Sequence, residues 1–288
     1  MPEQNKFRPE FIFEQTEPIS GVVQKPLTSF ERLTNQSWLR KCILLIVMAC
    51  IWQVYALNLN NSLIFPTFTA TIASFADAIL TGGLMGKALN SIEILLIGYA
   101  VGLVCAATLT ALAITTRIGS DLLETLTSMF NPLPAIALLP LALIWFGLGA
   151  GSIVFVLVHS VLWAVALNTH SGFMAVSPTL RMVGKNYGLN GFRYVYKILV
   201  PAAFPSILTG LKVGWAFAWR TLIAAELVFG VSSGSGGLGW FIYENKNMLD
   251  IPAVFAGLFT IIIIGLFVEN VIFNNIEAIT VRKWGMQT

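Results

Sequence analysis

Six long apolar runs alternate with polar stretches along the chain, at about residues 38–59, 88–114, 122–146, 152–169, 201–229 and 251–272. Each is long enough to cross a hydrocarbon layer of ~30 Å as an α-helix. The pattern predicts an all-α membrane protein with about six transmembrane helices. The third run is interrupted by Pro132, Pro134 and Pro140. Between the fourth and fifth lies a polar interval, residues 171–200, which carries Arg181, Lys185, Arg193 and Lys197 and neither Asp nor Glu. Residues 1–37 form a polar tail and residues 38–288 the membrane domain. The tail contains Pro2, Pro9, Pro18 and Pro26, which oppose one long helix. Its glutamates make a cleavable signal peptide an unsuitable reading, and a loosely ordered cytoplasmic tail is expected. The semi-polar stretch 60–87 is expected to include a short helix on the membrane surface.

Composition supports this reading. The chain is 56% hydrophobic and 11% charged, against roughly a quarter charged in soluble domains. The net charge of +3 points to no nucleic-acid partner. Its distribution matters more. Thirteen Lys and Arg fall in the tail, the turn at Arg117, the 171–200 loop and the C-terminal segment, against Lys87 and Lys246 in the opposite loops. Lys and Arg resist translocation, so both termini are expected in the cytoplasm. Cys42, Cys50 and Cys105 lie in apolar runs and are expected to be small buried hydrophobes without disulfides.

Several motifs were weighed for chemistry. Gly234, Gly236 and Gly239 match the spacing of a dinucleotide fingerprint, but they sit between two membrane runs instead of in a βαβ frame. Gly86-Lys87 lacks the other elements of a phosphate loop, so the chain has no visible means of hydrolysing ATP. His159 and His170 are eleven residues apart, and no cluster has metal-ligand spacing. The chain is therefore expected to be no enzyme and to hold no metal or cofactor. Gly98/Gly102 and Gly210/Gly214 are small-residue pairs one turn apart, suited to close helix contact. Gly147, Gly149 and Gly151 mark a turn. Charges inside apolar runs are costly and face a protein interior or a wet cavity. Arg220 and Glu226 are such charges, and Glu93 is a third near a run's edge. Arg220 and Glu226 stand about 240° apart around a helix, so they require separate partners. Glu93 is a candidate partner for Arg220.

Three blocks carry a resemblance. Residues 131–149 hold Pro132, Pro134 and Pro140 and end in Trp145-Phe146-Gly147-Leu148-Gly149. Residues 177–211 run from Ser177-Pro178 through Gly188 to Leu199-Val200-Pro201. Ala218-Trp219-Arg220 precedes Ala224-Ala225-Glu226. In these the chain resembles the permeases of binding-protein-dependent ABC importers, above all the nitrate/sulfonate/taurine group. Met182-Val183-Gly184 stands where that family's loop signature has Glu-Ala-Ala, and Gly188 keeps its spacing.

The resemblance implies a type I importer permease fold in a bacterial cytoplasmic (inner) membrane, passing a small solute such as nitrate, a sulfonate or taurine along a translocation path for which Arg220 and Glu226 are candidates, the alternative for Arg220 being an ion pair with Glu93 or with a second copy's Glu226. It implies a second permease copy as a homodimer partner, two cytoplasmic ATPase subunits that bind ATP and Mg, and an external solute-binding protein. The loop 171–200 would be the coupling element, with Arg181, Met182, Val183, Gly184, Lys185 and Gly188 in contact with the ATPase across two short helices broken at Gly188. A secondary transporter without an ATPase is the alternative. It often shows an inverted repeat, and none is visible here.

Overall fold

The computed structural model describes residues 36–229 and 236–285. Chain contacts divide the molecule after Ile51. The first unit contributes only the leading part of helix α1, Ser37–Leu59, whose long apolar side chains from Trp38 to Ile51 are mostly exposed. The second unit runs from Trp52 onward and contains α2 Phe68–Leu80, α3 Leu84–Thr115, α4 Arg117–Phe130, α5 Leu139–Phe146, α6 Ala150–Met174, α7 Pro178–Asn186, α8 Gly191–Val228, α9 Leu238–Asn247 and α10 Ile251–Arg282.

Helices α1, α3, α6, α8 and α10 are each long and apolar enough to cross a membrane. The third apolar run is not one helix. It divides into α4 and the stretch Ala135–Phe146, bent by 88°. Prolines cause the break. Pro132 and Pro134 lie in the turn after α4, where their missing N–H groups cannot extend its ladder, and Pro140 occupies the first turn of α5, where none is needed. The fifth run also departs from expectation. Its helix begins ten residues early, at Gly191, and passes through a π turn at Val195–Leu199. There the Val200 N–H bonds to the Val195 carbonyl, just ahead of Pro201, which offers no donor.

Helix α6 is the centre of the second unit, packed against both α3 and α8. Glycines allow both approaches. A Cβ on Gly98 would fall 2.7 Å from the Leu157 side chain, and one on Gly102 2.7 Å from that of Val161. On α8, a Cβ at Gly210 would fall 2.9 Å from Asn168 Cβ, and one at Gly214 3.0 Å from Val165. Both small-residue pairs thus serve contacts within the chain, onto neighbouring stretches of one face of α6, with Val161 near both Gly102 and Gly214. Ser152 Oγ donates to the carbonyls of Ala142 and Gly147, fastening α5 to the start of α6. Gly147, at φ 71°, ends α5 in a left-handed turn.

Polar contacts hold the outer helices. Trp52 donates from Nε1 to the Pro66 carbonyl at 2.9 Å and sits among Phe65, Phe68, Phe255 and Phe259, joining the trailing end of α1, α2 and α10. Lys212 of α8 meets Glu277 of α10 at 2.7 Å, and Arg282 also reaches Glu277. The three cysteines are free, as expected, but exposed instead of buried. In a membrane the apolar exterior accepts a thiol as readily as a packed interior does. Replacing Gly98 with Ile should overpack the α3–α6 seam at a cost of about 1–3 kcal/mol. It should lower the thermal midpoint in detergent, whereas Gly86→Ala, with nothing within 4 Å of the added methyl, should leave it unchanged.

Candidate functional site: a cavity and a basic loop

The loop region forms first from its caps. Ser177 accepts from the Leu180 N–H at 3.3 Å, and Pro178 starts α7. The helix ends in a Schellman turn: the Gly188 N–H bonds the Lys185 carbonyl at 2.9 Å and the Leu189 N–H that of Gly184 at 3.0 Å. Gly188 sits at φ 68°, a left-handed conformation that other residues adopt at a cost. The second arm of the loop is not a separate short helix, because Gly191 opens the unbroken α8.

The six predicted loop residues divide by direction. Arg181 turns inward, donating from Nε to the Val176 carbonyl at 3.1 Å and from Nη2 to that of Phe173 at 2.6 Å, so it satisfies carbonyls at the end of α6. Gly184 is buried, and a Cβ there would fall 2.9 Å from Tyr194 and 3.0 Å from Ile198 of α8. Met182, Val183, Lys185 and Gly188 are exposed. Sequence reasoning missed the exposed aromatic residues beside them: Tyr187, and Phe192 stacked with Tyr196 at 6.4 Å. Their spacing within a basic loop was the available signal.

At the bend between α4 and α5, a cavity of about 350 Å³ opens against α6 and α8. Arg220 lines it. Its Nε donates to the Ala216 carbonyl at 3.0 Å and its guanidinium lies 5.1 Å from the centre of the Phe217 ring. Among the described residues no carboxylate pairs with it, and Glu93 is exposed elsewhere on α3. His159 and Trp163, one turn apart on α6, share the lining. Phe130 stacks on Trp163 at 5.5 Å. Ser160 bonds Thr221 at 2.9 Å, bridging α6 to α8 beside the cavity. His159 carries no metal-like cluster, and among the described residues there is none.

Glu226 faces another way, as the 240° offset requires. It is 2% exposed and is not part of the cavity wall. Ser91 of α3 donates to its carboxylate at 2.7 Å, and the Gly239 N–H donates to it at 2.8 Å. The Leu238 N–H donates to Ser91 Oγ at 2.8 Å. Glu226 and Ser91 together satisfy the first N–H groups of α9, a position where negative charge also meets the positive end of the helix dipole. Gly237 and Gly239 make room, since a Cβ on either would strike the Glu226 side chain. That gives a packing reason for Gly239 of the fingerprint-like glycine run and for Gly237 within it. The rest of that run, residues 230–235, lies outside the described residues, as does the tail before residue 36. With its carboxylate enclosed by its own chain, Glu226 is unavailable as a partner for a second copy's Arg220.

The binding-protein-dependent transport system inner membrane component family matches residues 98–284. The chain belongs to that family. It is a multi-pass permease subunit of an ABC importer, with the type I permease fold. A putative ABC transporter permease of Methanocaldococcus jannaschii is 32% identical over 76% of this chain and 83% of its own length. The nitrate import permease of Synechocystis sp. is 27% identical, covering 81% and 86%. A putative aliphatic sulfonates transport permease of Bacillus subtilis is 26% identical, covering 81% and 83%. The match to the family spans the cavity, the Gly188 loop and, of the Glu226 cluster, Glu226, Leu238 and Gly239 but not Ser91.

In this permease, Glu226→Ala would strand the Ser91 hydroxyl and the Gly239 N–H, at about 1–3 kcal/mol for each buried orphan. Thermal midpoints of the purified protein should fall in the order wild type, Glu226→Gln, Glu226→Ala. An unshifted midpoint for Glu226→Ala would contradict the role described.

Proposed function

We propose that two copies of this permease line one path across a bacterial cytoplasmic membrane, with both termini in the cytoplasm. Two separate ATPase subunits supply the energy and hydrolyse ATP, and an external binding protein delivers the solute. The solute is a small anion, in keeping with the nitrate and sulfonate named for the relatives. In this reading Arg220 faces the path and lowers the barrier to negative charge, with a fork suited to oxyanions. Glu226 supports the path indirectly by seating α9 against α3 and α8.

The observation that carries the coupling assignment is the seating of α7. Arg181 ties it to the end of α6, and Gly184 lets it rest on Tyr194 and Ile198 of α8. Those are the two helices that wall the cavity. An ATPase pressing on Met182, Val183, Lys185 and the neighbouring aromatics would therefore move both walls. Along α6 the lever from Phe173 to Trp163 is about 15 Å. The lost carboxylate of the family signature falls at Met182, an exposed position, so here the contact is apolar.

Gly188→Trp should break the Schellman turn and reorient α7. ATP-driven uptake into vesicles should be abolished while the amount of permease in the membrane is unchanged. Normal uptake with normal ATPase co-purification would refute docking at α7. Orientation has its own test. Single cysteines at Asn190 and Met248, both exposed, in a background lacking the native three, should react oppositely with an impermeant maleimide on intact cells. Only Met248→Cys should label from outside, and labelling of Asn190→Cys would reverse the topology.

A further inference from the structure

The cavity contains polar atoms for which the described residues provide no partner. Both ring nitrogens of His159 and the indole Nε1 of Trp163 are buried with no hydrogen-bond partner. Trp163 is only 8% exposed, and its ring lines the cavity. An indole N–H can only donate, so a buried one without a partner calls for an acceptor. Arg220 adds a cation whose Nε alone is bonded to protein, and no acidic residue lines the cavity. Ser160 and Thr221, the neighbouring hydroxyls, bond to each other. The site is thus rich in donors, carries one positive charge, and lacks a counter-charge.

The rest of the wall is apolar or aromatic. Phe217 lies under the guanidinium, and Ile136 and the prolines of the bend complete the surface. At about 350 Å³ the space would hold roughly ten waters. A bare inorganic oxyanion would fill a small part of it and leave the apolar walls wet. A free cation is disfavoured by Arg220 despite the aromatic rings.

We infer that this cavity is a subsite of the permease for an organic anion, a carboxylate or sulfonate on a flat apolar body. The head accepts from Arg220 and the Trp163 N–H, and the body lies against Phe217 and the indole face. The inference rests on the reading of Arg220 as a path group and adds that the permease selects its solute directly, in addition to any choice by the binding protein.

The test uses the assembled transporter, permease with ATPase subunits, in lipid nanodiscs without binding protein. Radiolabelled benzenesulfonate is the probe, with empty nanodiscs as the blank. Saturable binding is expected, displaced by unlabelled benzenesulfonate but not by equal nitrate or benzylamine. Arg220→Gln should weaken it by about tenfold or more, the loss of a charge-assisted contact. Trp163→Phe, which keeps a ring and removes the N–H, should weaken it severalfold, and Arg220→Lys should retain most of it. No saturable binding by a complex that hydrolyses ATP would overturn the subsite. So would equal displacement by nitrate or benzylamine, or affinity unchanged in both Arg220→Gln and Trp163→Phe. Binding-protein-dependent uptake of nitrate, taurine and ethanesulfonate, measured in parallel, separates the two readings. Uptake lost in Arg220→Gln with no benzenesulfonate binding by wild type leaves the path role standing and overturns the subsite. Binding sensitive to Arg220→Gln with unaltered uptake overturns the path role and, with it, selection of the solute at this cavity.

Discussion

Helices in a bilayer gain little from hiding apolar surface, because the lipid is as apolar as they are; close contact has to supply the association. In this permease that contact is concentrated on α6. Gly98 and Gly102 bring α3 onto it, and Gly210 and Gly214 bring α8 onto it further along the same face. Everything else of interest hangs from these two seams. The cavity exists because α6 and α8 are held together while the broken α4–α5 segment turns away by 88°. The loop helix α7 is seated on the ends of the same two helices.

Charge placed within the apolar helices is the second organising feature, with Glu226 buried and Arg220 exposed. The carboxylate of Glu226 is fully enclosed and matched by donors from α3 and α9, an arrangement in which removing either side leaves a costly orphan. Arg220, six residues earlier on the same helix, is left with one backbone acceptor and an aromatic face. One charge is consumed in holding helices together, and the other is kept available at a cavity. A helix with 3.6 residues per turn achieves this separation simply by spacing them so that they face different neighbours.

Irregular backbone recurs where these parts meet. The 88° break at the prolines forms one edge of the cavity. The π turn at Val195–Leu199 lies where α8 receives α7. In a membrane such departures are tolerated only where the freed groups find partners or face a cavity, so proline-driven irregularities and polar contacts fall at the same places.

Much was legible in the residues alone. Apolar run length set the number of spans, because a hydrocarbon layer demands about twenty apolar residues per helix. Proline positions foretold that the third run would be interrupted, and Gly188 marked the turn of the loop, because backbone conformation at those residues is local chemistry. The small-residue pairs announced close contacts. What periodicity could not say was which helix each pair would meet, and both met α6. Nor could it separate Arg220 from Glu226 by role, since the hydrogen bonds that consume Glu226 come from Ser91 and Gly239, distant in the chain. His159 and Trp163 looked like ordinary residues of an apolar run. Only the packed arrangement left their nitrogens without partners beside a cation. The physical reason is that a side chain's local preferences are written in its own neighbourhood, whereas its satisfaction depends on atoms that folding alone brings near.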